Sequence, residues 1–200
     1  GGGGAFDAGC GDVKLLGRLQ SWLAGRSAPA GADTLADPRP LAEFLRVVEV
    51  ADATAAAGEL FLRKFKHPIP DYPRHFIMQY EPAPGMVETI GYVHYLAFEN
   101  CWLCGGMCID GMAQRRMPRE HREKIRAAGS LAEHMLRESF RQLGPCAAIF
   151  GYVGEASARI VDLRAGFIDT CEPLLMVVWR DAAEADRPAL VRKAAAFGPF

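Results

Sequence analysis

Three strand-like runs follow one another between residues 74 and 110: RHFIMQY, TIGYVHYLAFE and CWLCGGMCID. Each is rich in β-branched, aromatic or other apolar residues, which suit a pleated surface. The connectors between them are shorter than the dozen or so residues that a parallel crossover needs, so the runs must pair as an antiparallel meander. Whatever else the chain does, it must build a sheet around that ladder and cover both of its faces.

The flanking segments supply the cover. FLRVVEV, with three Val in four residues, predicts a strand at 44–50, and the alanine-rich stretch after it predicts a helix at 53–65. HPIPDYP then breaks the chain with three prolines. Beyond the meander, Ser130 opens a helix through the S-L-A-E capping box, with Glu133 as the reciprocal partner. Leu131, Met135, Leu136, Phe140 and Leu143 form its apolar face, and Gly144-Pro145 stops it. CAAIFGYV reads as a buried strand, EASARIVDLRAGF as a helix capped by left-handed Gly166, and LLMVVW as a last strand. DRPALVRKAAAF closes the chain as a helix with Asp186 as cap and Pro188 in the first turn. Asp12–Arg26 predicts a short amphipathic helix, tied on by the Pro- and Gly-rich SAPAGADTLADPRP. The expected organisation is a tail, helix and linker at 1–43, an α/β domain at 44–180, and a C-terminal helix at 181–200 packed on the same domain.

Composition bounds the partners. The 200 residues carry a formal net charge of −1, which gives no global attraction to nucleic acid or to an anionic membrane. No apolar run reaches the ~18 residues of a membrane span, and Gly1–Gly4 lacks the charged and apolar regions of a signal peptide. The expectation is a cytoplasmic protein, monomeric or homodimeric. Cys101, Cys104 and Cys108 spell C-x2-C-x3-C, a spacing that raises a metal or redox centre. The run lacks the second ligand pair of a structural zinc site, so buried, reduced thiols are the expected reading. In an uninterrupted strand Cys104 and Cys108 would share a face and Cys101 would not. Gly105-Gly106 inside the strand signals a bulge that can change this parity.

The order strand, helix, three antiparallel strands, helix, strand, helix, strand resembles the GNAT superfamily of acyl-CoA-dependent N-acyltransferases over about residues 44–180. Three local matches carry the resemblance. Arg126 and Gly129 fit the family's pattern of Arg or Gln, two residues, Gly, one residue, then Gly or Ala; Leu131 stands at the last position. The small, apolar strand 146–153 follows the helix after that motif. Ala158 to Phe167 is similar to the family's fourth helix with its terminal Gly-Phe.

The resemblance implies a mixed, mostly antiparallel sheet with helices on both faces and a splayed parallel strand pair. It implies acetyl-CoA or another acyl-CoA as co-substrate and an amine as acceptor. The pyrophosphate would lie on the turn Arg126, Ala127, Ala128, Gly129, Ser130 and Leu131. A helix N-terminus there offers unpaired N–H groups and a partial positive charge. Pantetheine would lie along the bulged strand, against the backbone of Met107, Cys108, Ile109 and Asp110. The basic segment 115–126 holds six Lys or Arg against two acids and lies by the nucleotide end, unless its charges form a solvated helix face of Glu–Arg pairs. For the chemistry the candidates are Tyr152 as proton donor, with His94 or Glu99 as base. Asp162 stands where the family's Tyr acid is usual. The implied function is acyl transfer to a small-molecule or protein amine. The alternatives are a thioester-binding domain without N-acetyl transfer (a decarboxylase or a non-catalytic module) and a metal or redox protein built on the cysteines.

Overall fold

A computed structural model of the chain describes residues 41–200. The helix and linker expected at 12–40 lie outside the described residues. β1 (Leu45–Val50) leads to α1 (Thr54–Phe65), which Asp52 starts by accepting the Thr54 N–H at 2.7 Å. Lys66, in the left-handed region at φ 65°, ends that helix. The meander follows as β2 (Arg74–Ala83), β3 (Met86–Phe98) and β4 (Cys101–Ile109). After it come α2 (Gly111–Arg116), α3 (Arg119–Ala127), α4 (Leu131–Gln142), β5 (Ala148–Tyr152), α5 (Ala156–Ala165), β6 (Ile168–Asp169), β7 (Leu175–Trp179), a 3-10 turn (Glu184–Asp186) and α6 (Arg187–Phe197).

All seven strands form one sheet in the order β1-β2-β3-β4-β5-β7-β6. Each neighbouring pair is antiparallel except β4–β5, which is parallel because the chain returns between them through α2, α3 and α4. The class is therefore the expected one, a mixed α/β domain with one parallel pair in a mostly antiparallel sheet. Strand alternation sorts the core. Phe76, Met78, Val93, Tyr95, Ile149 and Met176 face α4 and α5. On the other face, Ile77 and Tyr92 meet Ala57 and Phe61 of α1, while Leu103, Phe150 and Val177 meet Leu190, Val191 and Ala194 of α6.

The basic segment is two short helices. Arg119–Glu123 and Glu120–Lys124 pair at i,i+4 along α3, as a solvated helix face does. The inner side is anchored: the His121 ring stacks on Phe44 at 4.0 Å and its Nδ1 meets the Tyr80 hydroxyl at 3.0 Å. Arg116 reaches Glu88 at 2.6 Å and Lys124 reaches Glu43 at 3.0 Å. No helix among the described residues is long and apolar enough to cross a membrane.

Candidate active site

The site begins with a bulge. Between β3 and β4 the register runs Val93↔Met107 and then Tyr95↔Cys104, so His94 alone faces the two residues Gly105 and Gly106. That two-against-one count bends the strand. The buried His94 ring fills the space above Gly105, where a Cβ would lie 2.1 Å from Nε2. A Cβ on Gly106 would meet Phe61 at 3.0 Å and Phe65 at 3.2 Å. Gly105 is thus required by its neighbour, and Gly106 is tightly fitted.

The hydrogen bonds of His94 define its tautomer. Nε2 accepts the Gly106 N–H at 3.1 Å, so the ring proton sits on Nδ1 and is donated to the Tyr92 hydroxyl at 3.1 Å. Tyr92 then donates to His75 Nδ1 at 2.8 Å. Burial holds the His94 imidazolium down to about 3, with the charges of His75 and His67 acting in the same direction. His94 is therefore neutral, and its lone pair is occupied by the strand it supports.

Past the bulge, β4 leaves its parallel partner. The pairing with β5 covers Trp102↔Ile149, Leu103↔Phe150 and Cys104↔Gly151, while β4 continues to Ile109 and β5 to Tyr152. The gap is a cleft of about 280 Å³. Cys104 to Met107 form one wall and Gly151 to Glu155 the other. Lys64 and Phe65 of α1, Ala158 and Asp162 of α5, and Phe200 complete it.

The same bulge corrects the expected parity of the cysteines. Cys101 and Cys108 face the α1 and α6 side, and Cys104 faces α4 and α5. The inserted residue moves Cys108 to the face opposite Cys104. Burial pushes the Cys101, Cys104 and Cys108 thiols up, so all three are protonated at neutral pH. No group of three or more His, Cys, Asp or Glu able to hold a metal occurs among the described residues.

The sequence candidates fall in different places. Met107 lines the cleft, whereas Cys108, Ile109 and Asp110 line a neighbouring groove. Asp110 ends β4 by capping α2, its Oδ1 accepting the N–H groups of Met112 at 2.8 Å and Ala113 at 3.1 Å. Tyr152 lines the cleft, but its hydroxyl donates to the Ala195 carbonyl at 3.4 Å and its ring packs edge-on against Phe200. Glu99 sits in the β3–β4 turn at φ 53°, paired with Lys193 at 2.8 Å, and is not among the cleft residues.

Arg126 and Ala127 end α3, Ala128 and Gly129 make the turn, and Leu131 starts α4. Gly129 takes φ 115°, and Ser130 Oγ caps the helix by accepting the Glu133 N–H at 3.1 Å. The Glu133 carboxylate is buried against Gly129, where a Cβ would lie 2.2 Å from Oε2, and it pairs with Arg164 at 3.5 Å and Arg137 at 3.8 Å.

One group carries more than its sequence position announced. Asp162 is only 8% exposed and lines the cleft, and its carboxylate has no hydrogen-bond or ion-pair partner among the described residues. Burial lifts its carboxyl to about 6. The sequence signal was its place four residues before Gly166-Phe167. What sequence could not reveal is the desolvation that changes its acidity.

The order of strands, the bulged β4 and the splayed β4–β5 pair are the arrangement that the sequence resemblance implied. No family model matches the sequence, and no curated protein matches it. Among solved structures, the chain is similar to the ribosomal-protein-S18-alanine N-acetyltransferase from Escherichia coli at 14% identity and a TM-score of 0.46, covering 70% of this chain and 96% of that one. It is similar to the putative N-acetyl transferase YhhK from E. coli, bound to coenzyme A, at 10% identity and a TM-score of 0.46, over 68% of this chain and 98% of that one. AtaTR bound with AcCoA gives 17% identity and a TM-score of 0.44, over 68% and 94%. At these identities and TM-scores the likeness carries no argument, and function has to be argued from the cleft.

Proposed function

We propose that the chain is an acyl-CoA-dependent N-acyltransferase. The observation that carries this reading is the cleft opened where β4 and β5 part. A thioester arm needs a narrow slot with unpaired strand backbone, and β4 beyond Cys104 supplies such an edge. The phosphate end needs N–H donors, and the first turn of α4 supplies them. Arg126 is exposed beside that turn, while Arg137 and Arg164 offset the charge of Glu133.

Acyl transfer moves one proton from the amine to the leaving sulfur. Asp162 is suited to carry it. Protonated, it gives its proton to the thiolate as the C–S bond breaks; ionised, it takes the proton that the attacking amine releases. A carboxyl lifted to about 6 is available in both forms near neutral pH. Tyr152 shapes the wall, since its hydroxyl is engaged with Ala195. His94 positions the bulged strand rather than acting as base, because its lone pair is committed to Gly106.

The test is a thermal-shift titration with coenzyme A, followed by acetyl-CoA turnover against an amine panel. Binding to the native state raises Tm with ligand concentration. Ala158→Phe, which fills the cleft from a half-buried helix position, should remove the shift while leaving the unliganded Tm nearly unchanged. An unmoved melting curve for the unmutated protein at saturating coenzyme A rejects the reading. A shift without amine-dependent release of coenzyme A favours a thioester-binding domain instead.

A further inference from the structure

A second groove, of about 280 Å³, adjoins the cleft on the α1 side and shares Lys64 with it. Its floor is apolar, from Leu60, Cys108, Ile109 and Met112, and its rim carries Arg63, Lys64 and Arg115 against the single acid Asp110. Asp110 is fully committed: Oδ1 caps α2 and Oδ2 takes Arg63 at 3.0 Å. Lys64 and Arg115 have no ion-pair partner among the described residues, and the Arg115 guanidinium lies over Gly111, 3.8 Å from where a Cβ would stand. Among the described residues the rim therefore holds two uncompensated cations from two different helices. Each cation alone suits the C-terminal end of its helix; that explanation does not account for their meeting across one groove next to the transfer cleft.

Resting on the acyltransferase reading, we propose that this groove binds an anionic group, a carboxylate or a phosphate, on the amine acceptor. Lys64 and Arg115 hold the anion through charge-assisted hydrogen bonds, with Arg63 pinned behind them by Asp110. The apolar floor takes the acceptor's carbon chain. Lys64, shared by both cavities, then sets the amine toward the thioester. Neutral and cationic amines gain nothing from the rim, so the groove selects by charge.

The test uses matched amines at equal free-amine concentration: glycine against glycinamide, and 2-aminoethyl phosphate against ethanolamine. The anionic member of at least one pair should show a kcat/KM at least about tenfold higher. Arg115→Gln, at a residue outside the cleft, should weaken that preference and leave the KM for acetyl-CoA unchanged, and adding Lys64→Met should abolish it. The two pairs separate a carboxylate from a phosphate acceptor. Equal or better turnover of the neutral partners overturns the proposal, and so does a raised KM for acetyl-CoA in Arg115→Gln alone, which would assign the groove to the phosphates of coenzyme A. If no amine of the panel is turned over, the readout is the melting temperature of the coenzyme A complex. Anionic amines should raise it further in the unmutated protein and not in the double variant, and no further rise overturns the proposal. The shift given by coenzyme A alone tests the parent reading separately.

Discussion

The Nε2 atom of His94 accepts the backbone N–H of Gly106 at 3.1 Å, and this side-chain bond ties the bulge that parts β4 from β5. Replacing His94 tests whether the cleft depends on that tether. His94→Leu leaves the Gly106 N–H without its acceptor and the Tyr92 hydroxyl with His75 alone, at about 1–3 kcal/mol for a buried unsatisfied group. His94→Gln keeps an acceptor for Gly106 and a donor for Tyr92. Thermal melts should therefore show a clear loss for Leu and a smaller one for Gln, and only the Gln variant should retain a coenzyme A shift. Equal coenzyme A affinity in both variants would show that the tether is dispensable.

The same residue gives the protein an acid-sensitive limb. The folded pKa of His94 is lowered to about 3, below its unfolded value near 6.5. Above about 6.5 the residue is neutral in both states and costs nothing. As pH falls from there toward 3, only the unfolded chain takes up the proton, and stability drops by about 1.4 kcal/mol per pH unit for that one group. Denaturant melts between pH 7 and 4 should show His94→Gln with a shallower slope than the unmutated chain. Parallel slopes would mean that His94 is protonated in the native state.

Gly105 and Gly106 should not respond alike to alanine. At Gly105 the new methyl group collides with the His94 ring, which is held from both nitrogens. Overpacking of this kind costs about 1–3 kcal/mol, or several degrees in Tm for a domain of this size. At Gly106 the nearest atoms are the edges of Phe61 and Phe65, at 3.0 and 3.2 Å, and Phe65 is only half-buried and has room to yield. Gly105→Ala should thus melt lower than Gly106→Ala; the reverse order would contradict the bulge geometry.

The elements were legible because their signals are local. The Ser130 side-chain cap, the left-handed stop at Gly166 and the β-branched runs of the meander act within a few residues, and each appears where its pattern stands, although Glu133 turns to Arg137 and Arg164 instead of closing the capping box. The Glu–Arg spacing of α3 was legible as a solvated helix face for the same reason. The paired glycines marked the bulge, but the ring that makes Gly105 necessary comes from the neighbouring strand, so the role of His94 could not be read from Tyr-Val-His-Tyr alone. The bulge also inverted the facing of Cys108, which a simple alternation count cannot follow. Glu99 pairs with a lysine 94 positions away, and Tyr152 with a carbonyl 43 positions away, distances over which no spacing rule operates. Gly129 is a related case. Gly129→Glu would drive a side chain into Glu133 and disturb folding whether or not a phosphate binds there, so Arg126→Glu, at an exposed position, is the cleaner probe of that turn.

Asp162 should show stability and function moving in opposite directions. Its folded pKa, raised to about 6, stands above the unfolded value near 3.9. Below about pH 4 the carboxyl is neutral in both states. As pH rises from there through 6, the unfolded chain ionises first, so the native state loses stability across that window and carries the full penalty at pH 7. Asp162→Asn removes the ionisation and keeps the shape. Allowing for solvent reaching the carboxyl from the cleft, the variant should be more stable at pH 7 by about 1–2 kcal/mol, and no more stable at pH 4. Acyl transfer should fall by about 10²–10⁴-fold in the same variant, with coenzyme A binding retained, because an amide neither donates to a thiolate nor accepts from an amine as a carboxyl does. The pairing of the two measurements is what discriminates. A gain in stability with undiminished turnover would make Asp162 a buried charge without a catalytic duty. A loss of stability at pH 7 would mean that the carboxylate has a partner in the native state, and the assignment of the proton to Asp162 would fall with it.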